Sequence, residues 1–349
     1  MAQNKNNRQD IAKLVSRLDA VLKGQKTLLI VLHNNPDPDC MASAFALSFL
    51  AQKRYNIESR LVYGGIIGRA ENRIMARELN IPLIKASRIG YKRYDRIALV
   101  DTQPTAGNNI YPEDAPFHIV IDHHAYTSRN SAPFLLNDPQ VGATATLLIE
   151  LLEVCDLMGC MPVDLATALV YGIKSETQDL GRETGPRDVK AYLWVFVKAS
   201  MPKLARITHP RLSRSYYKTL GKALRNAKSY RHVMVSHVGA VTTPDIVAEV
   251  ADLLLKHERI SWTFCTGRFR NDIIISIRSA QPNAKAGQLI RALLKDRKNC
   301  GGHDTFAGGK MTIKDLSDDK VAEMIDDIEV NFARQLGVKK VKWKKLIHD

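Results

Sequence analysis

Three short polar runs concentrate carboxylates and imidazoles, and each follows an apolar run. They are His33-Asn34-Asn35-Pro36-Asp37-Pro38-Asp39, Asp101-Thr102-Gln103 and Asp122-His123-His124. Hard carboxylate oxygens combined with imidazole nitrogens suit Mn²⁺, Mg²⁺ or zinc. Pro36 and Pro38 bias the residues before them toward extended backbone. Residues two apart in an extended segment share a side, so Asp37 and Asp39 are expected to face one cavity with His33 behind them. A polar turn would explain the first run alone, and helix capping would explain Asp101 alone. Three such runs, each ending a strand of one sheet, are not explained by capping alone, and the expectation is a metal centre. A fourth polar stretch, Tyr171–Leu180, adds Glu176 and Asp179 at a helix end.

The elements that must position these groups are legible as patterns. Leu28–Leu32, Arg96–Val100 and Ile119–Ile121 read as buried parallel strands. Open α/β sheets place ligands at the carboxyl ends of such strands, where the acids and histidines follow. Residues 8–23 carry one apolar helical face, and a helix rich in small residues follows Asp39. A strand at Arg60–Tyr63, a helix at Glu71–Leu79, a short strand at Pro82–Ile84 and helices at Thr144–Cys155 and Pro162–Thr177 complete the first part. The expected class is α/β. A larger N-terminal domain (26–200, after a helix in 1–25) has a mainly parallel sheet flanked by helices. A helical connector (201–230) leads to a smaller C-terminal α/β domain (231–338) and a basic tail (339–349). In the second domain, strands are expected at His232–His237, Ile260–Thr266, Ile273–Arg278 and Lys310–Ile313, and the last helix at Lys320–Leu336.

Composition narrows the class. Of 349 residues, 45% are hydrophobic, which excludes a disordered chain. No run of 18 apolar residues occurs, and the polar start MAQNKNNRQD is not a signal peptide. Five scattered cysteines without zinc spacing read as reduced thiols in a cytoplasmic protein. A net charge of +15 favours an anionic partner such as a nucleotide, with part of the excess in a tail read as a solvated end. No GxGxxG or GxxxxGK[ST] fingerprint is present.

With the motifs HNNPDPD, VDTQ, IDHH and GIKSET in order, GATAT (Gly142–Thr146) between the last two, and a C-terminal GGHDTFAGG, the chain resembles the DHH phosphoesterase family. It is similar to the subfamily that joins a DHH domain to a DHH-associated domain, the nano-RNase (oligoribonuclease) and 3′-phosphoadenosine 5′-phosphate phosphatase-like group. The resemblance implies two divalent ions, usually Mn²⁺, with Mg²⁺ or others as alternatives. His33, Asp37 and Asp101 would hold one; Asp39, Asp101, His123 and Glu176 the other, with Asp101 bridging. It implies that His124 contacts the scissile phosphate and that Asp122 supports a histidine. The family's fourth motif normally carries Asp where this chain has Glu176; Asp179 is the alternative ligand. In the associated domain, Arg278, Ser279, Gly301, Gly302, His303, Gly308 and Gly309 would bind substrate, the glycines by close backbone approach to phosphate. Arg182 is a further phosphate candidate. The implied substrates are short oligoribonucleotides, linear dinucleotides or 3′-phosphoadenosine 5′-phosphate, with no added module for long strands and with a homodimer as the assembly seen in the family. The competing expectation is a nucleotide-binding regulatory protein whose centre is weakened by Glu176.

Overall fold

The computed structural model describes residues 13–126, 132–294, 299–302, 304–314 and 316–347. The chain forms two compact units, Met1–Pro210 and Arg211–Asp349, dividing inside the stretch expected to connect the domains. Among the described residues no helix is long and apolar enough to cross a membrane.

The first unit is a six-stranded sheet, β1 (Thr27–Leu32), β2 (Glu58–Tyr63), β3 (Leu83–Lys85), β4 (Arg96–Val100), β5 (Ile119–Asp122) and β6 (Phe134–Asn137), in the order β3-β2-β1-β4-β5-β6. Every pairing is parallel. Leu28–Leu32 and Ile119–Ile121 are fully buried, as apolar runs in a sheet covered on both faces must be. The strand β6 was not anticipated: its four residues are too few to show a period, and pairing of Asn137 beside Asp122 is what makes it a strand. Helices are α1 (13–22), α2 (Pro38–Tyr55), α3 (Ala70–Glu78), α4 (Thr144–Val154), α5 (Val163–Glu176), α6 (Pro186–Phe196) and α7 (Met201–Thr208). Small residues on α2 admit close packing. A Cβ on Gly172 of α5 would lie 3.1 Å from Ala42 Cβ and 3.3 Å from Asp39 Cα. Glycine there lets α5 approach the start of α2, and Glu176 lies one turn further along the same face.

The expectation of extended backbone before the prolines holds at Asp37 and is corrected at Asn35, which is left-handed (φ +57°), and at Asp39, which is helical. Asp37 is the N-cap of α2 (φ −89°, ψ 179°), and its side chain accepts from the Cys40 N–H. Pro38 is the first helical residue and Asp39 lies in the first turn. Proline is favoured there because its missing N–H would be unpaired anyway, and an aspartate before it satisfies an orphan donor.

The second unit begins with α8 (Arg214–Asn226), followed by β7 (Lys228–Tyr230), β8 (Val233–Ala240), α9 (Asp245–Leu254), β9 (Trp262–Phe269), β10 (Asp272–Ser279), α10 (Ala286–Leu294), β11 (Cys300–Gly302), β12 (Phe306–Thr312), α11 (Asp318–Gln335) and β13 (Lys344–Lys345). The sheet order is β11-β12-β10-β9-β8-β7-β13, antiparallel except for β8 with β9. The tail is not simply solvated. Lys344 and Lys345 pair with β7, the Leu346 N–H donates to Ala227 O at 2.8 Å, and Val341, Trp343 and Leu346 pack into the unit's cores while the lysines stay exposed. In the glycine-rich stretch β11 pairs with β12, with Gly301 opposite Gly308 and Cys300 opposite Gly309. A Cβ on Gly302 (φ +156°) would meet Ala307 Cα at 2.5 Å, and one on Gly287 would meet Gly302 O at 2.3 Å, so glycine here serves close packing.

Candidate metal centre

The carboxyl ends of β1, β4 and β5 deliver the three polar runs to one place. His33 follows β1, and its Nδ1 lies 2.9 Å from Asn34 O, where it donates as N–H. That leaves Nε2 between two carboxylates, 3.4 Å from Asp37 Oδ2 and 3.5 Å from Asp101 Oδ2. Asp101 is 3% exposed and adopts the left-handed conformation (φ +57°), which bends the chain at the end of β4 and keeps its N–H on Ile121 O. Its Oδ1 lies 3.8 Å from both His123 Nε2 and His124 Nδ1. Among the described residues two sets of side chains therefore offer donor atoms at metal-binding separations, His33 with Cys40 and Asp101, and Asp101 with His123 and His124. Asp101 belongs to both.

The charges are crowded, and their protonation shows it. Burial and the nearby Asp101, Glu176 and Asp37 charges push the Asp39 carboxyl well above its usual range. Glu176 is pushed up to about 8 by burial and by Asp37 and Asp101, with Arg182 and His124 opposing. Asp101 is held low: burial raises it, but the bond to His33 and the charges of His123, His33 and His124 outweigh burial. Burial raises Cys40 to about 12, so it is a thiol at neutral pH and its Sγ points to Val100 O at 3.5 Å. That leaves the oxygen and imidazole donors for a hard or borderline ion.

The donor set fits divalent cations on a specific observation. His123 Nε2 is buried and has no hydrogen-bond partner among the described residues. Its Nδ1 lies 3.3 Å from Val141 O, which accepts a hydrogen bond from Nδ1–H and so fixes the tautomer with the lone pair on Nε2. A buried acceptor lone pair beside a carboxylate cluster is costly unless a cation takes it up.

Neighbouring groups hold the donors rigid. Asp122 is 1% exposed; its Oδ1 accepts from His124 Nδ1 at 2.8 Å and from the His124 backbone N–H, and its Oδ2 accepts from Gln103 Nε2 at 2.8 Å. Burial opposes the charge on His124, but Asp122, Asp101 and Glu176 raise it to about 9. Asn137 on β6 donates to Asp122 O and His124 O.

Sequence reasoning missed Thr144. This fully buried residue starts α4. Its hydroxyl donates to Asp101 Oδ1 at 2.8 Å and accepts from the His123 N–H at 3.3 Å, while its own N–H donates to Asp39 Oδ2 at 2.7 Å. The Ala145 N–H donates to Asp39 Oδ1 at 2.8 Å. Both Asp39 oxygens thus hold the amino end of α4, where helix N–H groups lack internal partners. The buried Asp188 of α6 completes the support, accepting from Gly142 N–H, Gly185 N–H and Thr146 Oγ1. The GATAT segment was the available signal, but its hydroxyl partners are far apart in sequence.

The other expected residues are distributed as follows. Glu176 is the last residue of α5 and acts electrostatically on Asp39 and His124. Asp179, the alternative ligand, is 76% exposed and paired with Lys174 at 3.1 Å. Arg182 Nη2 donates to Glu176 O at 3.3 Å. In the second unit, Arg278 donates to Asp252 Oδ1 at 2.5 Å and to Ser276 Oγ, and lies over the Phe306 ring. The Ser279 hydroxyl donates to Ser261 O. Gly301, Gly302, Gly308 and Gly309 lie in the paired strands β11 and β12, and His303 falls outside the described residues.

Comparison with known proteins agrees with this architecture. Residues 27–173 match the DHH family, N-terminal domain, and residues 231–333 match the DHHA1 domain. The uncharacterized protein MJ1633 of Methanocaldococcus jannaschii is 35% identical over 321 residues, covering 89% of this chain and 64% of that protein. The chain therefore spans about two thirds of the length of the curated relative it matches. The crystal structure of an exopolyphosphatase-related protein from Bacteroides fragilis superposes with a TM-score of 0.72 at 14% identity, over 95% of this chain and 98% of that one, which is a likeness of fold. With both matches lying on the two units described above, this chain carries a DHH family N-terminal domain followed by a DHHA1 domain.

Proposed function

We propose that this chain is a hydrolase that uses two divalent ions, Mn²⁺ foremost, to cleave phosphate esters of small nucleotides: short oligoribonucleotides, linear dinucleotides or 3′-phosphoadenosine 5′-phosphate. The observation that carries the proposal is the Nε2 of His123, buried beside Asp101 and unpartnered among the described residues, within a carboxylate cluster too crowded to ionise fully. His33, Asp37 and Asp101 would hold one ion, and Asp39, Asp101, His123 and Glu176 the other. Such ions supply positive charge to phosphate oxygens and make water a nucleophile near neutral pH.

The chain's own groups do the rest. Asp122 fixes the His124 ring through Nδ1 and, with Asp101 and Glu176, raises it to about 9 in the metal-free chain, so His124 would serve as a cationic donor for a phosphate oxygen. Gln103 holds the far oxygen of Asp122 and stops that carboxylate from turning. In the second unit, Arg278 and the glycines of β11 and β12 would bind a terminal phosphate or sugar, and Arg182 is a further phosphate ligand.

The test is turnover of a 5′-labelled dinucleotide and of 3′-phosphoadenosine 5′-phosphate with added Mn²⁺. Turnover should require the ion, and Asp101→Ala should abolish it and weaken Mn²⁺ binding measured by calorimetry while the fold persists. Activity that survives Asp101→Ala removes the bridging role. Nucleotide binding without turnover of these substrates or of cyclic dinucleotides would favour a nucleotide-binding regulatory protein instead.

A further inference from the structure

The excess positive charge is concentrated in the second unit. Residues 211–349 contain 26 Lys and Arg against 15 Asp and Glu, whereas residues 1–210 contain 25 against 21. Within the second unit, the stretch from Arg211 to His232 contains seven Lys and Arg and no acid. Most of it is the helix α8. At 3.6 residues per turn, Arg214, Lys218, Lys222 and Arg225 fall within an arc of about 80° and span about 17 Å. All four are exposed. The opposite face is committed to the core through Ala223, with Tyr216, Leu220 and Leu224 packed beside it.

This row runs against the helix's own stability. Arg214–Lys218 and Lys218–Lys222 are like-charge pairs at four-residue spacing, which destabilise a helix. Arg214 also sits in the first turn, where cations oppose the helix dipole. None of the four is in an ion pair among the described residues, whereas Arg268, Lys310 and Lys228 of the same unit are paired with Asp318, Asp272 and Glu329. Tyr217, on the flank of the row, is 61% exposed.

We infer that this face of α8 binds the backbone of a single-stranded nucleic acid, with Tyr217 stacking on a base. Cations in a row with an exposed aromatic ring beside them are what sequence-tolerant single-strand binding requires. An anionic membrane fits less well: interfacial helices insert an apolar face, and the apolar face of α8 is already packed against its own sheet. The inference does not rest on the reading of the metal centre, and its assay is binding rather than turnover.

The probe is a fluorescein-labelled 15-nucleotide oligouridylate, titrated with the full chain by anisotropy at about 50 to 200 mM salt. Four phosphate contacts give a slope of log affinity against log salt of about −2.8, or about a 50-fold loss over that range. The triple variant Lys218→Gln, Lys222→Gln, Arg225→Gln should reduce the slope to about −0.7. Tyr217→Ala should weaken binding by about tenfold at every salt concentration and leave the slope in place. A control that removes the same charge elsewhere in the unit, Lys256→Gln, Arg259→Gln, Arg291→Gln, should keep the wild-type slope. Equal losses in both triple variants, a wild-type slope in the α8 variant, or binding to phosphatidylserine vesicles without binding to the RNA would overturn the inference.

Discussion

Thr144→Val is the substitution that best separates the support of the site from its ligands. Valine has nearly the shape of threonine, so the fully buried position stays filled. What disappears is the hydroxyl, and with it the 2.8 Å bond to the Asp101 carboxylate and the 3.3 Å bond from the His123 N–H. A hydrogen bond to a charged group contributes about 1.5–3 kcal/mol and an amide bond about 0.5–1.5 kcal/mol. The expected loss is about 2–4 kcal/mol. For a unit of this size, each kcal/mol moves the melting temperature by about 2–4 °C, so the transition of the first unit should fall by roughly 4–16 °C in scanning calorimetry. Asp101 would also lose the bond that fixes one of its oxygens, so Mn²⁺ affinity should fall alongside stability. Thr144→Ser restores the hydroxyl and should recover most of both. If valine costs less than about 1 kcal/mol, or serine costs as much as valine, the hydroxyl is not what holds Asp101 and the reasoning fails.

Three further outcomes follow from the same structure. His118 Nδ1 accepts from the Ile97 N–H at 3.2 Å, and burial, helped by Arg96, lowers its pKa. The unfolded chain therefore takes up the proton first, so stability is fully present above about pH 6.5 and is lost as the pH falls through the lowered native value; His118→Asn keeps an acceptor and should flatten urea-derived stability between pH 7 and 5. Glu176 is raised to about 8, so in metal-free protein its contribution is lost as the pH rises from its unfolded value through 8; Glu176→Gln should make the metal-free protein melt higher at pH 8 and reduce the rise that MnCl₂ produces over EDTA, and an unchanged rise would remove Glu176 from the cation site. A Cβ at Gly142 would lie 2.4 Å from Glu183 O and 2.8 Å from Thr177 Cγ2, so Gly142→Ala should cost about 1–3 kcal/mol in thermal unfolding.

Much of the candidate site was legible because its residues are local. Acids and histidines directly after apolar strands are visible as short motifs, and parallel strands dictate that their carboxyl ends share a crevice. One reading is corrected for a local reason that competes with strand patterning: Pro38 starts a helix directly after the extended Asp37, so Asp37 is a cap. The tail shows a second limit, since charge alone does not reveal that Val341, Trp343 and Leu346 anchor it.

The sequence by itself determined the donor types, the α/β alternation and the order of the two domains, because these depend on residue chemistry and on hydrophobic period. Only the tertiary structure decided which donors lack partners and which are already spent. Asp39 and Asp101 both meet Thr144 at the start of α4, more than 40 residues away in the chain, and the bonds between them exist only after the sheet and its helices have packed. The same packing set Glu176 against that cluster, because a missing side chain at Gly172 lets α5 close on α2. Likewise, that the cations of α8 stand over a buried apolar back, with no ion pair among the described residues, was settled by the fold.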